Sequence, residues 1–406
     1  MSNTQKKNVP ELRFPGFEGE WEEKKLGEVA KIYDGTHQTP KYTNEGIKFL
    51  SVENIKTLNS SKYISEEAFE KEFKIRPEFG DILMTRIGDI GTPNIVSSNE
   101  KFAYYVSLAL LKTKNLNSYF LKNLILSSSI QNELWRKTLH VAFPKKINKN
   151  EIGKIKINYP KKQEQQKIGQ FFSKLDRQIE LEEQKLELLQ QQKKGYMQKI
   201  FSQELRFKDE NGEDYPDWKE KKLGDITEQS MYGIGASATR FDSKNIYIRI
   251  TDIDEKSRKL NYQNLTTPDE LNNKYKLKRN DILFARTGAS TGKSYIHKEE
   301  KDIYNYYFAG FLIKFEIDEQ NNPLFIYQFT LTSKFNKWVK VMSVRSGQPG
   351  INSEEYAKLP LVLPNKLEQQ KIAEFLDRFD QQIELEKQKI EILQQQKKDL
   401  LQSMFI

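Results

Sequence analysis

The sequence contains no cysteine and three histidines among its 406 residues. Without cysteine the chain has no disulfide framework, no thiolate metal site and no cysteine nucleophile. The three histidines, His37, His140 and His297, lie far apart and lack the spacing of metal ligands or of a catalytic triad. A methyl-transfer motif of the Asn/Asp-Pro-Pro-Tyr/Phe type is also missing. We therefore predict a chain without a catalytic centre or a metal site of its own.

Long apolar runs are missing as well, since no stretch approaches the length that crosses a membrane. The polar N-terminal residues do not resemble a secretion signal, and we expect a soluble, cytoplasmic protein without a membrane partner. Lysine and arginine number 66 against 57 aspartate and glutamate, a net charge of +9. This excess favours a polyanionic partner, although a lysine-rich composition alone does not establish one.

A 42-residue segment occurs twice, at residues 160–201 and 364–405, and roughly 25 aligned positions are identical. In both copies apolar residues recur at alternating steps of four and three, which predicts two long helices with one apolar seam each. The residues predicted to pair the helices are Ile168, Phe172, Leu175, Ile179, Leu186, Leu189, Ile372, Leu376, Phe379, Ile383, Ile390 and Leu393.

Charged residues within the seams bear on the direction of pairing. A parallel pair in register would bury Glu182 against Glu386 and Lys193 against Lys397, which is costly. An antiparallel pair can set Glu182 beside Lys397 and Lys193 beside Glu386. We therefore predict an antiparallel coiled coil within the chain. Docking of each helix on a separate protein, or dimerisation of the chain, is the alternative.

The duplication extends beyond the helices. The motif Glu11-Leu12-Arg13-Phe14 recurs from Glu204, and GDILMTRIGDIG from Gly80 recurs as NDILFARTGASTG from Asn280. Short strands and local helices without regular βαβ alternation predict an α+β fold. The predicted segments are a globular domain at 8–160, a spacer helix at 161–203, a second globular domain at 204–364 and a second spacer helix at 365–406.

Similarity between the two globular domains falls sharply away from these motifs. The poorly matching regions are residues 36–79, 94–139, 234–278 and 294–344. A shared frame with divergent loops suits two modules that read two different targets from equivalent positions.

This arrangement resembles the specificity subunit of type I restriction-modification enzymes. The resemblance covers almost the whole chain and is carried by the repeated EQQKI helices, the DIL..R.G segments, YDGTHQTPKY and SGQPGINSEEYAKLPLVLP. It implies that each globular domain is a target recognition domain for one half of a bipartite site in double-stranded DNA. It also implies that the helices separate the two halves and hold two methyltransferase (modification) subunits.

The resemblance implies that this chain binds no cofactor itself. S-adenosylmethionine would belong to the methyltransferase partner, and ATP and Mg to the restriction (translocase) subunits. The alternatives are a stand-alone DNA-binding regulator that dimerises through its coiled coil, and an ATP-hydrolysing enzyme built on residues 288–294. That segment, GASTGKS, has three residues between its glycines where a phosphate-binding loop needs four, and a strand is predicted after it.

Candidate DNA contacts follow from side-chain chemistry, since arginine reads guanine while lysine, serine and threonine mostly position phosphates. Arg86 and Arg286 occupy matching places, and each is a framework salt bridge, a phosphate contact or a base reader. An identical residue cannot by itself make two modules read different sequences, so further candidates come from divergent loops. The candidates are Thr36, His37, Gln38, Thr39, Lys41, Arg86, Asp89, Lys145, Lys146, Ser237, Thr239, Arg240, Arg286, Thr287, Lys293, Arg345, Ser346 and Gln348.

Two further expectations concern aromatic residues and spacing. Tyr104, Tyr105, Tyr304, Tyr306, Tyr307 and Phe308 alternate as in strands and are predicted to lie in the core rather than to stack on bases. About 35 overlapping helical residues span roughly 50 Å, so half-sites on the order of 10–15 base pairs apart are expected. Because the loops diverge, we predict unlike half-sites and an asymmetric site.

Overall fold

The computed structural model describes residues 8–298 and 303–406. Helices and short strands are mixed along the chain, which confirms the predicted α+β class. The chain folds as two compact units, one of residues up to 185 together with 386–406, the other of residues 186–385. Among the described residues, no helix has the length and apolar character needed to cross a membrane.

The first unit is built on three small sheets. Its strands are β1 (Glu22–Lys25), β2 (Ala30–Asp34), β3 (Tyr42–Thr43), β4 (Ile47–Leu50), β5 (Tyr63–Ile64), β6 (Ile82–Ile87), β7 (Asp89–Ile95), β8 (Phe102–Tyr104), β9 (Leu108–Thr113) and β10 (Lys156–Tyr159). Its helices are α1 (Leu26–Val29), α2 (Glu66–Glu72), α3 (Ser118–Leu126), α4 (Ser128–Arg136), α5 (Lys149–Gly153) and the start of the long helix α6 (Lys162–Phe201). The sheet orders are β2-β9-β6-β7, β3-β5-β4-β8 and β1-β10.

The second unit repeats this plan. Its strands are β11 (Lys219–Lys222), β12 (Thr227–Tyr232), β13 (Ala238–Arg240), β14 (Asn245–Ile248), β15 (Thr266–Pro268), β16 (Ile282–Ala285), β17 (Ser294–Ile296), β18 (Asn305–Phe308), β19 (Leu312–Ile317) and β20 (Pro360–Leu363). Its helices are α7 (Pro323–Thr330), α8 (Ser333–Met342), α9 (Ser353–Ala357), residues 186–201 of α6 and residues 366–385 of the long helix α10 (Lys366–Ser403). The four-stranded order β12-β19-β16-β17 matches β2-β9-β6-β7.

The repeated DIL motif forms an inner strand in each of the two matching four-stranded sheets, β6 in one and β16 in the other. Side chains along a strand point alternately to the two faces. In β6, Ile82 and Met84 enter one apolar core while Leu83 enters another, so the strand is covered on both faces. This double burial explains an apolar run without polar alternation. Strand β16 is covered in the same way, and each inner strand leads towards its arginine, Arg86 or Arg286.

The two long helices pack together through the predicted seam. Of the twelve residues predicted to pair them, Ile168, Phe172, Ile372, Leu376 and Ile390 are buried and the others are half-buried. Burying one apolar stripe while the remaining faces stay polar is what the heptad pattern predicted.

Ion pairs define the register of the helices within each unit. In the first unit, Lys397 Nζ lies 2.5 Å from Asp176 Oδ1, and Lys389 Nζ lies 2.6 Å from Glu182 Oε1. Partner numbers fall along one helix as they rise along the other, so the antiparallel direction is confirmed.

The predicted partners of the charged seam residues were wrong. Glu182 pairs with Lys389 rather than Lys397, and Lys193 Nζ lies 2.6 Å from Asp380 Oδ1 rather than beside Glu386. The register differs from the prediction by about two helical turns. A heptad seam tolerates slips of one heptad because apolar positions then meet apolar positions again. The globular cores select the register.

One such core is visible at the end of the pair in the first unit. Ile168 and Phe172 of α6 join Met404 and Phe405 in the main apolar core of that unit. The rings of Phe172 and Phe405 lie 5.8 Å apart. Because both helices are embedded in the core here, neither can slide by a heptad without exposing these side chains.

A buried ion pair connects the two most repeated motifs. Arg13 of the first ELRF donates to Glu164 of the first EQQKI through Nε and Nη2, at 2.7 Å in both cases. In the second unit, Arg206 donates to Glu368 at 3.2 Å and 2.8 Å. The carboxylates are fully enclosed, with Glu164 1 % and Glu368 0 % exposed. The motif therefore recurs because each buried glutamate needs a cation.

Candidate nucleic-acid interface

Two glycines fix matching positions in the two units. A Cβ atom on Gly35 would lie 2.4 Å from the carbonyl oxygen of Tyr104, and one on Gly233 would lie 2.3 Å from that of Phe308. Both positions thus require glycine, because the strand backbones approach too closely for any side chain. The preceding residues, Asp34 in the first unit and Tyr232 in the second, are therefore equivalent.

Backbone hydrogen bonds extend this correspondence to the arginines. The amide of Arg86 donates to the carbonyl of Ser107 at 2.9 Å, and that of Arg286 donates to Phe311 at 3.1 Å. Likewise, Tyr105 donates to Leu50 at 2.8 Å and Ala309 donates to Ile248 at 2.9 Å. Ser107 and Phe311 are therefore equivalent, as are Tyr105 and Ala309.

Arg86 is part of the framework of the first unit. Its guanidinium forms an ion pair with Asp34, and its Nε donates to the carbonyl of Ile147 at 3.1 Å. The side chain is 6 % exposed, and Lys149 Nζ adds a second cation 3.4 Å from Asp34. Of the roles open to Arg86 from sequence, this geometry is that of a framework salt bridge.

The other candidates of the first unit lie on the loop after β2, at the start of β7, or on a basic loop of residues 137–148. His37, Gln38, Thr39 and Lys41 are exposed on the loop that follows β2, and Thr36, at its start, is half-buried. Asp89 is exposed but accepts a hydrogen bond from Thr85 Oγ1 at 3.1 Å. The carbonyl of Lys145 accepts a hydrogen bond from the Gly88 amide at 2.8 Å, and Lys146 forms an isolated β-bridge with Ile87. The fold thus brings the β6–β7 turn and the basic loop together.

Sequence reasoning missed an exposed apolar tip on that same loop. Val141 is 99 % exposed and Phe143 is 103 % exposed, while the Trp135 ring lies 4.6 Å below Lys145 Nζ. Large apolar side chains are usually buried, so the run HVAF suggested nothing about the surface. The position of this run between Lys137 and Lys145 was the signal in the sequence that could have indicated an exposed loop.

Arg286 has a different environment from Arg86. Its guanidinium carbon lies 4.8 Å from the centre of the Tyr232 ring, and Nη1 reaches the carbonyl of Gly310 at 3.5 Å. Within residues 8–298 and 303–406, no carboxylate lies within ion-pair distance of it. The residue is half-buried and therefore not closed off from solvent.

Further candidates of the second unit surround Arg286. Thr287 forms a backbone bridge to Gly350, and the Gln348 amide covers Gly288, lying 3.1 Å from where a Cβ would be. Ser346 is exposed, whereas Arg345 forms a bidentate pair with Glu355 at 2.6 Å. That pair neutralises the charge of Arg345 and leaves it less suited to bind an anion than predicted.

A cavity of about 360 Å³ opens beside Phe311. It is lined mainly by apolar side chains and by Arg249, Thr251 and Tyr247. Hydrogen bonds to Asp252 raise the pKa of Arg249, so the charge of this arginine is already compensated. The Tyr247 hydroxyl is within hydrogen-bond reach of the carbonyls of Ile234 and Ala236, and burial raises its pKa.

An exposed segment beside this cavity carries the remaining candidates, Ser237, Thr239 and Arg240. Strand β13 carries Thr239 and Arg240, and its Ala238 lines the cavity together with Ala236. Thr239 Oγ1 donates to the Thr267 carbonyl at 2.8 Å, and the Ser237 amide donates to Asp269 at 2.8 Å. The segment is thus held firmly while its outer side chains stay exposed.

Lys293 is buried, whereas a DNA contact, which is the role predicted for it, requires an exposed side chain. It is 6 % exposed, and its ammonium lies 3.1 Å from the Ile253 carbonyl and 2.7 Å from Glu255. The following residues form strand β17 (Ser294–Ile296) and not a helix. A phosphate-binding loop needs both a free lysine and a helix N-terminus, so this segment does not form one.

The alternating aromatics mostly belong to the core, as predicted. Tyr104, Tyr306, Tyr307 and Phe308 are at most 4 % exposed. Tyr105 is half-buried and packs with its ring 6.1 Å from that of Phe49. In the described parts of the chain, no cluster of three or more acidic or histidine side chains is placed to hold a metal ion.

Comparison with known proteins gives concordant results. A family described as the type I restriction modification DNA specificity domain matches residues 18–191 and again residues 215–395. The type I restriction enzyme MjaVIII specificity subunit of Methanocaldococcus jannaschii is 26 % identical, over 97 % of this chain and 93 % of that protein. The HindI specificity subunit of Haemophilus influenzae is 28 % identical over 47 % of this chain and 41 % of its own length.

Solved structures agree at the level of the fold. The crystal structure of the S subunit of a type I restriction-modification system from M. genitalium matches with a TM-score of 0.65. That match covers 98 % of this chain and 99 % of the other at 16 % identity. Since the family's domain matches twice and together covers most of the residues, the chain belongs to the type I restriction modification DNA specificity family and is a non-catalytic DNA-recognition subunit.

Proposed function

We propose that this chain reads an asymmetric bipartite DNA site, one half with each unit, and holds two modification subunits. The observation that carries the proposal is the pair of matching frames with different surfaces. At equivalent positions the first unit has Asp34 and a neutralised Arg86, whereas the second has Tyr232 and an Arg286 that no carboxylate of the described residues pairs with. Modules that differ in charge at the same place present different chemistry to a base pair.

Partner binding is supported by exposed apolar pairs on the long helices. In the first unit, Leu181 and Ile392 are 47 % and 57 % exposed; in the second, Leu188 and Leu385 are 57 % and 64 % exposed. The two pairs are equivalent by the repeat and lie outside the seam. Exposed leucines at matching helical positions suit a partner that binds twice through an apolar surface.

The cofactor assignments belong to this proposal. S-adenosylmethionine would be held by the modification subunits, and ATP and Mg by restriction subunits that join the complex. The half-site spacing of 10–15 base pairs also stays a prediction based on helix length. A stand-alone regulator is the other candidate, and it would need no methyltransferase.

Methylation mapping tests the proposal directly. Host DNA is sequenced for modified bases with the modification subunits present, and with or without this chain. We expect modification in one discontinuous, non-palindromic sequence that appears only when the chain is present. Modification of a palindromic or continuous sequence, or modification that does not need the chain, would refute the proposal.

The exposed tip of the basic loop in the first unit provides a local test. Changing Val141 and Phe143 to serine should weaken DNA binding several-fold, because apolar tips flanked by lysines insert against bases or sugars. The free energy of unfolding should change by less than about 0.5 kcal/mol, because the side chains are exposed. Electrophoretic mobility shift and thermal unfolding provide the two measurements.

Phe79→Ser is the matched control for this experiment. Phe79 is a 65 % exposed phenylalanine of the same unit, but it lies between Glu78 and Asp81. An acidic surrounding repels DNA, so this change should leave affinity as it is. Equal losses from the control and from the loop variant would mean that the tip makes no specific contact.

A further inference from the structure

We propose that Arg286 and Phe311 form the base-reading element of the second unit, with Arg286 on a guanine and Phe311 with its cavity on a neighbouring thymine methyl. The inference rests on the proposed function, because it names the chemistry by which one half-site is read. At the same backbone positions the first unit has a paired Arg86 and a buried Ser107 instead.

The charge of Arg286 is the first support. The guanidinium of Arg86 forms an ion pair with Asp34 and donates to the Ile147 carbonyl inside the fold. At the position of Asp34 the second unit has Tyr232, whose ring lies 4.8 Å from the Arg286 guanidinium carbon. A guanidinium has five N–H donors, and the long 3.5 Å approach to Gly310 uses one of them. Among the described residues, therefore, most donors of Arg286 are left for a ligand.

Orientation distinguishes a base contact from a phosphate contact. Contact with an aromatic face restricts the guanidinium, and Tyr232 is itself held by a hydrogen bond from the Ser353 amide to its hydroxyl at 3.1 Å. A fixed planar fork matches the O6 and N7 acceptors of guanine, whereas a phosphate is bound equally well by a mobile cation.

Phe311 and the cavity are the second support. In the first unit the equivalent Ser107 is 5 % exposed, and its hydroxyl accepts from the Val52 amide at 3.1 Å. Phe311 is 63 % exposed, and its carbonyl accepts a hydrogen bond from the Arg286 amide. An exposed phenylalanine beside an apolar cavity offers an apolar group of a ligand a surface on which to bind.

The cavity lies at a position where the two units differ in side-chain size. Tyr105 of the first unit packs near Phe49, whereas the equivalent residue of the second unit is Ala309, which lines the cavity. Most of the lining is apolar, with Tyr247, Arg249 and Thr251 at the remaining positions; the apolar residues are Ala236, Ala238, Ile250, Ala309 and Phe311. In the major groove the one apolar group on a base edge is the 5-methyl of thymine, so a thymine is the matching ligand.

Base analogues test the two contacts separately in the full-length chain, alone or copurified with the modification subunits. Replacing the read guanine by 7-deazaguanine removes N7 and should weaken wild-type binding roughly 5- to 100-fold. The same analogue should not lower the affinity of Arg286→Gln any further. Replacing the adjacent thymine by uracil removes one methyl and should weaken binding about fourfold. Phe311→Ser should not respond to it.

Arg286→Lys and Arg86→Gln complete the set. Arg286→Lys keeps the charge but loses the fork, so it should relax the guanine preference while the salt dependence of binding stays the same. Arg86→Gln should instead lower the unfolding temperature, because Asp34 then loses its buried partner. Arg286→Lys also keeps the test valid if the glutamine variant fails to fold.

Two results would overturn the inference. One is a loss of affinity in Arg286→Gln that is the same for all sequences, together with a smaller salt dependence, which would identify a phosphate contact. The other is that Arg286→Gln and Phe311→Ser lose as much affinity as the wild type when the two analogues are introduced. A wild-type chain without any sequence preference would instead refute the proposed function, so the two failures can be told apart.

Discussion

Arg206→Ala is expected to destabilise the second unit by about 3–5 kcal/mol. The reason is the partner it leaves behind, since Glu368 is 0 % exposed and receives two hydrogen bonds from Arg206. The indole of Trp218 would still donate to this carboxylate at 3.2 Å, but a neutral donor does not replace the lost cation. Denaturant unfolding of the full-length chain, followed by circular dichroism, measures the effect.

Two controls separate burial from simple loss of an ion pair. In the double variant Arg206→Met with Glu368→Leu, both charges are removed, and stability should return to near the wild-type value. Arg177→Ala breaks the exposed pair with Glu180 and should cost less than about 1 kcal/mol. If Arg206→Ala costs no more than Arg177→Ala, the buried ion pair does not stabilise the unit.

The second large effect concerns partner binding. Leu181→Glu with Ile392→Glu should reduce the bound modification subunits from two to one per chain, and Leu188→Glu with Leu385→Glu should do the same independently. A charge buried against an apolar partner surface is costly, whereas on the free helices these residues face solvent. Combining all four changes should abolish both binding and methylation. Native mass spectrometry of copurified complexes counts the copies.

The matched control adds the same charges elsewhere on the same helices. Gln184 and Gln395 are exposed, and they donate hydrogen bonds along their own helices, to Glu180 and Asp399. Gln184→Glu with Gln395→Glu should therefore keep two subunits bound. Loss of both subunits from a single leucine pair would instead indicate one shared docking surface, contrary to the proposed pair of equivalent ones.

Most of the architecture could be predicted because the chain is compared with itself. Helix periodicity, the repeated motifs and the opposed charges of the seam predicted two helices, two domains and an antiparallel direction. The register was predicted wrongly, since Glu182 meets Lys389 and Lys193 meets Asp380. Charges in a heptad offer several compatible pairings, and the core around Phe172 and Phe405 selects among them.

The candidate interface was less predictable, and Arg86 and Arg286 show why. Both follow the same DIL motif, so their local sequence predicts the same role. Their roles are separated by Asp34 and Tyr232, which lie more than fifty residues earlier and meet the arginines only across the sheet. Lys293 was misjudged for a similar reason, since Glu255 and Ile253 enclose it from a distant loop.

Features that repeat at short intervals are already specified by residue order, because a helix or a strand pairs neighbours at fixed spacing. The two long helices are of this kind, while the two-module plan and the helix direction follow from comparing the two copies of the repeat. The register of the helices, the availability of each arginine and the cavity beside Phe311 arise otherwise. They depend on contacts between residues far apart in the chain, which exist once the cores have packed.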